Sequence, residues 1–328
     1  FPWVKVRSTR QMTSKTHKIV FMGTPAFAVP VLRAIARHYE LVGVVTQPDR
    51  PAGRGQQMRP PAVKTAALEL GLPVIQPPSL RDAQALAQLQ DWQPDLIVVA
   101  SFGQILRREV LELPPYGCLN VHASLLPRWR GATPIPAAIL AGDQVTGVTI
   151  MQMDAGIDSG PVLAQREEPI RPDDTQATLE TRLALLGAQL LLETLPAYLA
   201  GELVPRPQPA EGVTYTGVLR KEDGRLDWSR PAVELARQVR AYNPWPGAFT
   251  TLRGQHLKIL RATPLPDWRG EERPGTMLLL DNGATVAVAT GEGALRLEEV
   301  QLAGRRPMDI AAFLCGQREC LGICLGET

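Results

Sequence analysis

The stretch KIVFMGTPAFAVPVLRAIARHYELVGVVT, residues 18–46, decides the fold. KIVFMG and ELVGVVT are short runs rich in β-branched residues, and the segment from about Ala26 to Arg37 between them carries a helical pattern. The alternation continues to about Pro169 through PAVKTAALEL, PVIQP, DAQALAQLQ, DLIVVAS, CLNVHAS and VTGVTIMQM. Strands that alternate with helices imply βαβ units, and such units build a parallel sheet covered on both faces. The expected fold is therefore a doubly wound, mostly parallel, Rossmann-like α/β domain.

Working outward, Asp174–Ala200 reads as one long helix, with Leu179, Leu183, Leu186 and Leu190 at spacings of three and four and Gly201 as its stop. LVPRPQPAEG follows, with three prolines in ten residues, a composition that favours extended chain. Beyond it come TYTGVL, AFTTLR, HLKILRA, GTMLLLD, ATVAVATG and ALRLEEV, parted by turn residues, with one helical stretch at Ala232–Tyr242. Short strands closing on a small core suggest a smaller OB-like β-barrel domain. The expected division is a first domain over 17–202, a linker over 203–213 and a second domain over 214–328.

With 328 residues, 45% hydrophobic and 21% charged, the chain has the composition of an ordinary soluble protein with two cores. No apolar run reaches the roughly 20 residues that cross a bilayer, and no secretory signal opens the chain, so a cytoplasmic location is expected. Residues 1–18 lack acids and carry several basic groups, which suits a transit remnant as the lesser reading, while Met12 followed by Thr13, Ser14 and Lys15 reads as a start preceded by upstream sequence. Cys118, Cys315, Cys320 and Cys324 form no CxxC pair and have no adjacent histidine, which favours reduced thiols over zinc. The first strand runs into Gly23, Thr24, Pro25 and Ala26, a turn without the GxGxxG loop of dinucleotide sites.

Chemistry concentrates in GCLNVHASLLPRWRGATPI, residues 117–135. If CLNVHA is a strand, Asn120 and His122 point to one face and Leu119 and Val121 to the other. Ser124, Leu125, Leu126 and Pro127 then occupy the carboxyl edge of the sheet, where open α/β folds bind ligands. Farther on, MQMDAGIDSGPVL carries Asp154 and Asp158 beside glycines, and either can be a turn former.

NVHASLLPRWRGATPI together with VTIMQMDAGIDSGPVL resembles the signature of the folate-dependent formyltransferases. TPAFAVP, TQPDRPAGRGQ, QPPSLR and AYNPWPGA extend the likeness to the branch whose acceptor is methionine on its initiator tRNA, from about Lys18 to about Leu314. The resemblance implies that Asn120, His122 and Asp158 are catalytic, the motif placing its acid before Ser159 and Gly160 rather than at Asp154. It implies that Ser124 to Pro127 line the folate site. The donor would be 10-formyltetrahydrofolate, released as tetrahydrofolate, and the acceptor the α-amino group of methionyl initiator tRNA, with no metal and with a monomer as the default. Attack on the formyl carbon gives a tetrahedral oxyanion that Asn120 and a protonated His122 would stabilise, with Asp158 favouring the imidazolium. Ala123 stands where many of these sequences have glycine.

The segment QPDRPAGRGQQMRPPAVK, residues 47–64, sets Arg50, Arg54, Arg59 and Lys64 against Asp49, four positive minus one negative charge, or +3. Long and rich in glycine and proline, it suits a loop that orders on a nucleic acid, and the resemblance carries tRNA binding to Arg50 and Arg54. Arg220, Lys221, Arg237, Arg240, Arg253, Lys258, Arg305 and Arg306 would face the tRNA backbone from the barrel. Trp245, between prolines, reads as a core or interdomain packing residue rather than a base-stacking platform, and the final dozen residues as an unmatched, cysteine-rich tail. Competing readings are formyl transfer to a sugar amine or other small amine, hydrolysis of the formyl folate, and RNA binding without turnover.

Overall fold

A computed structural model describes residues 17–52 and 57–327; Met12 and Arg54 lie outside the described residues. The chain forms two compact units that interleave along the sequence. One takes residues up to 122 with Val148–Arg166 and Ala184–Gln208, and the other takes Ala123–Gly147, Glu167–Leu183 and the residues from Pro209 onward.

The opening stretch folds as the βαβ unit expected of it: β1 (Lys18–Gly23), α1 (Ala28–His38) and β2 (Glu40–Val45), with β1 and β2 parallel. A two-stranded hairpin, β3 (Arg50–Ala52) and β4 (Gln57–Arg59), precedes α2 (Ala62–Glu69) and β5 (Val74–Ile75). Then come α3 (Ala83–Trp92), started by the Asp82 carboxylate accepting from Gln84 N–H, β6 (Leu96–Ala100), the short α4 (Arg108–Leu111) and β7 (Cys118–His122). After β8 (Arg130–Gly131) and α5 (Pro134–Ala141), β9 (Val145–Gln152) and β10 (Val162–Pro169) complete a seven-stranded sheet of order β10-β9-β7-β6-β1-β2-β5. β7, β6, β1, β2 and β5 run parallel, and β9 pairs with β7 in the antiparallel sense. β1 and β6 are apolar because both faces of the sheet are covered there, as the buried IVFM of β1 and LIVVA of β6 show.

The long helix α6 spans Gln176–Leu199 and buries Leu179, Leu183 and Leu190 as its spacing predicts. At Gly187 it presses against the sheet: a Cβ there would lie 2.7 Å from Cγ1 of Val121, so only glycine allows α6 this close to the back of β7. No helix among the described residues is long and apolar enough to cross a membrane.

In the second unit, β11 (Tyr215–Thr216) pairs with β8, and α7 (Ala232–Ala241) precedes the strands β12 (Phe249–Leu252), β13 (Gln255–Leu265), β14 (Met277–Leu280), β15 (Thr285–Ala289), β16 (Ala294–Leu302) and β17 (Met308–Asp309) and the helix α8 (Ile310–Gly316). The sheet order β12-β13-β16-β15-β14 is antiparallel throughout and curls into a half-barrel around Leu257, Ile259, Val288, Leu295, Leu297 and Val300.

The cysteine-rich end lies beyond the outer strands' own ladder but bonds to both: Ile323 O accepts from Met277 N–H at the start of β14, and Gly326 N–H donates to Thr251 O of β12. It thereby bridges the two outer strands of the curled sheet, satisfying backbone groups that an open edge leaves unpaired. Cys320 and Leu325 are buried in the same core. Trp245 is 53% exposed, so it is not a core residue; the cyclised backbones of Pro244 and Pro246 flank it, and its ring stays outside the hydrophobic cluster. All four cysteines are free thiols, and burial pushes the Cys118 thiol up to about 12.

Candidate active site

β7 lies between β6 and β9, with Asn120 opposite Val99 on one side and Met151 on the other. The strand's period of two turns Asn120 and His122 to one face, while Val121 meets α6 on the other. Asn120 is 9% and His122 5% exposed, so their polar atoms require partners inside the protein.

Asp158 supplies one for both. Asn120 Nδ2 donates to Asp158 Oδ1 at 3.1 Å, and His122 Nδ1 lies 3.6 Å from Oδ2 of the same carboxylate. The aspartate belongs to the turn between β9 and β10 and has a left-handed backbone, φ +47°, a region that Asp enters more readily than most residues. Neighbours hold this turn tightly. Asp154 accepts from Gly156 N–H at 3.0 Å and from the Ser159 hydroxyl at 2.8 and 3.0 Å, so it organises the loop rather than facing Asn120 and His122. A Cβ at Gly160 would meet Gln152 O, which forbids a side chain where the turn returns to β9.

A further contact comes from the proline-rich segment. Val162 and Arg206 exchange backbone hydrogen bonds of 2.7 and 2.8 Å, and Gln208 Nε2 donates to the carbonyls of Asp158 and Gly160, each at 2.8 Å. Sequence reasoning took this segment as a linker and missed Gln208; a lone glutamine among prolines carries no periodic signal.

The residues that follow β7 belong to the second unit. Ser124 is fully buried and its hydroxyl donates to Arg128 O at 2.6 Å, and Leu126 is buried as well. Leu125 and Pro127 are half-buried and keep apolar surface. Ala123 is buried. The loop is anchored by Arg128, whose guanidinium forks onto Asp143 at 2.7 and 3.0 Å, and by Trp129, whose Nε1 donates to the same carboxylate at 2.8 Å.

In the 47–64 segment, Lys64 pairs with Asp49 at 2.8 Å. Hydrogen bonds from Gln76 and Lys64 hold the Asp49 carboxyl below its usual value. That pair cancels, and the positive charge of the hairpin lies with the arginines. Arg50 donates to Gln47 Oε1 at 3.2 Å and stands directly across the β3–β4 ladder from Arg59. Like charges directly opposite each other oppose pairing, so the strands bring them together at a cost. Of the basic residues expected on the barrel, Arg240 donates to Asp174 O at 2.9 Å and Arg253 pairs with Glu319 at 3.4 Å, while Lys221, Arg305 and Arg306 are exposed. Among the described residues no group of three or more His, Cys, Asp or Glu could hold a metal ion.

Two family models match the chain: formyl transferase over residues 17–195, and the formyl transferase C-terminal domain over residues 218–318. A methionyl-tRNA formyltransferase of Roseiflexus castenholzii is 52% identical over 311 residues, 94% of this chain and 99% of that protein. One from Myxococcus xanthus is 50% identical over 301 residues, 92% of this chain and 95% of that protein. Among solved structures, HypX from Aquifex aeolicus in complex with tetrahydrofolic acid has a TM-score of 0.59 at 22% identity, covering 92% of this chain and 47% of its own. The sugar 3N-formyl transferase WlaRD has a TM-score of 0.61 at 17% identity, covering 88% of this chain and 99% of its own. These two likenesses concern the fold alone, whereas the family models and the half-identical, full-length relatives go further: the chain belongs to the formyl transferase family, among the methionyl-tRNA formyltransferases.

Proposed function

We propose that the chain transfers the formyl group of 10-formyltetrahydrofolate to the α-amino group of methionyl initiator tRNA, yielding N-formylmethionyl-tRNA for translation initiation in the cytoplasm. The observation that carries this reading is the convergence of Asn120, His122 and Asp158 at the end of β7 in a chain half identical to methionyl-tRNA formyltransferases.

10-Formyltetrahydrofolate supplies the electrophilic formyl carbon. Asn120 has two amide N–H groups; one is held by Asp158, and the other suits the negative charge that develops on the formyl oxygen as the amine attacks. His122, buried next to Asp158, is the group of this site that can exchange a proton with the attacking or the leaving nitrogen. Asp158 orients both side chains through its two oxygens. Leu125 and Pro127, apolar and half-buried, suit one face of a flat pteridine, while buried Ser124 and Leu126 keep the loop in shape. Residues 17–202 would hold the chemistry, 203–213 the link, and 214–328 a tRNA-binding barrel. Arg50 and Arg54 would take phosphates of the acceptor end, and Arg59, opposite Arg50, joins them as a contact that would relieve the like-charge pair.

The test is formyl transfer by the purified protein from 10-formyltetrahydrofolate to methionine-charged initiator tRNA, beside uncharged tRNA and a nucleotide-linked amino sugar. Transfer to the charged tRNA alone supports the proposal; transfer to the amino sugar alone replaces its acceptor.

A further inference from the structure

We infer that Gln208, in the proline-rich segment between the two families of strands, is a positioning residue for catalysis: its side-chain amide sets the backbone from which Asp158 reaches Asn120 and His122. This rests on the reading of Asp158 as catalytic.

An amide NH2 offers two N–H groups. Gln208 directs them to two carbonyls of one turn, those of Asp158 and Gly160, both at 2.8 Å. Its flanking residues Pro207 and Pro209 are exposed, and Gln208 itself turns inward. The backbone ladder between Arg206 and Val162 delivers it there, two residues beyond the last paired position. The turn needs such a clamp. Asp158 sits at φ +47°, a left-handed conformation that is unfavourable for a non-glycine residue and persists only where surrounding contacts over-determine it. Asp154, with Gly156 and Ser159, braces the turn from within, and Gly160 is pressed against Gln152. Gln208 braces the Asp158 backbone from outside the turn, 50 positions along the chain. Catalytic groups displaced by about 1 Å can lose on the order of 100-fold in rate, so a clamp on this carboxylate acts on turnover rather than on acceptor binding.

The experiment compares Gln208→Ala, Gln208→Glu, Asp158→Asn and the double variant Gln208→Ala/Asp158→Asn, each with kcat and KM for charged tRNA and a melting curve. Gln208→Glu keeps the shape and removes both N–H groups, so it separates hydrogen bonding from packing and stands in if the alanine variant folds poorly. The expected result is a fall in kcat of about 10- to 100-fold for both Gln208 variants, with KM within about twofold. In the Asp158→Asn background the Gln208 substitution should add little, because both act through one carboxylate. Full activity of Gln208→Glu, a rise in KM with kcat intact, or independent losses in the double variant would each overturn the inference while leaving Asp158 in place. An active Asp158→Asn protein would remove the reading of Asp158 itself, and the inference with it.

Discussion

Asn120 Nδ2 donates to Asp158 Oδ1 at 3.1 Å across 38 positions of sequence, joining a buried strand to a tightly folded turn. The contact explains how two buried polar side chains tolerate their place: the carboxylate that satisfies Asn120 with one oxygen faces His122 with the other. In the proposed mechanism, groups already held in this way would stabilise developing charge with little reorganisation.

Asn120→Ala and His122→Ala should each lower turnover by about 100- to 1000-fold with the fold retained, as loss of one oxyanion donor does elsewhere. Single-turnover formyl transfer alongside circular dichroism checks this. Turnover near the wild-type rate for either variant removes that residue from the proposed mechanism.

Arg50→Ala and Arg59→Ala should each raise KM for charged tRNA with less change in kcat, and each should lower the slope of log affinity against log salt by about 1. Titration of tRNA binding over a range of salt measures it. Arg59→Ala should also relieve the cross-strand repulsion, so thermal stability should not fall; a steep loss of stability would mean that Arg59 is structural.

Burial opposes ionisation of Asp174, but hydrogen bonds from Arg182, from Arg171 N–H and from Thr178 outweigh it and bring the carboxyl down to about 2. A depressed carboxyl stabilises the fold above its unfolded value, near 3.8, and that contribution disappears as pH falls from there through about 2. The difference corresponds to about 2 kcal/mol. Denaturant unfolding between pH 5 and about 2 should show wild-type stability falling toward that of Asp174→Asn; parallel curves over the whole range would contradict the assignment.

Leu325, 2% exposed beyond the end of the matched C-terminal domain, belongs to the core of the half-barrel. Leu325→Ala should cost about 2 to 5 kcal/mol of that unit's stability by leaving a cavity. Denaturant melts monitored on the fluorescence of buried Trp228, which packs in the same cluster, test this; an unchanged midpoint would return the end of the chain to the status of a tail.

What the sequence by itself determined is what neighbouring residues encode. Apolar runs and 3.6-residue spacing placed β1, α1, β2 and α6, and the period of two put Asn120 and His122 on one face of β7. The NVHASLLP and DAGIDSGPVL motifs also pointed to Asp158 over Asp154, through family resemblance rather than spacing. Tertiary structure decided which groups meet across long stretches of chain. Lys64 is cancelled by Asp49, Gln208 reaches Asp158, and the cysteine-rich end closes the half-barrel. Local pattern reports the backbone's short-range preferences, but these contacts depend on where loops return and in what register. Their partners lie up to 76 positions apart, as Thr251 and Glu327 do, and no spacing within either segment records the other.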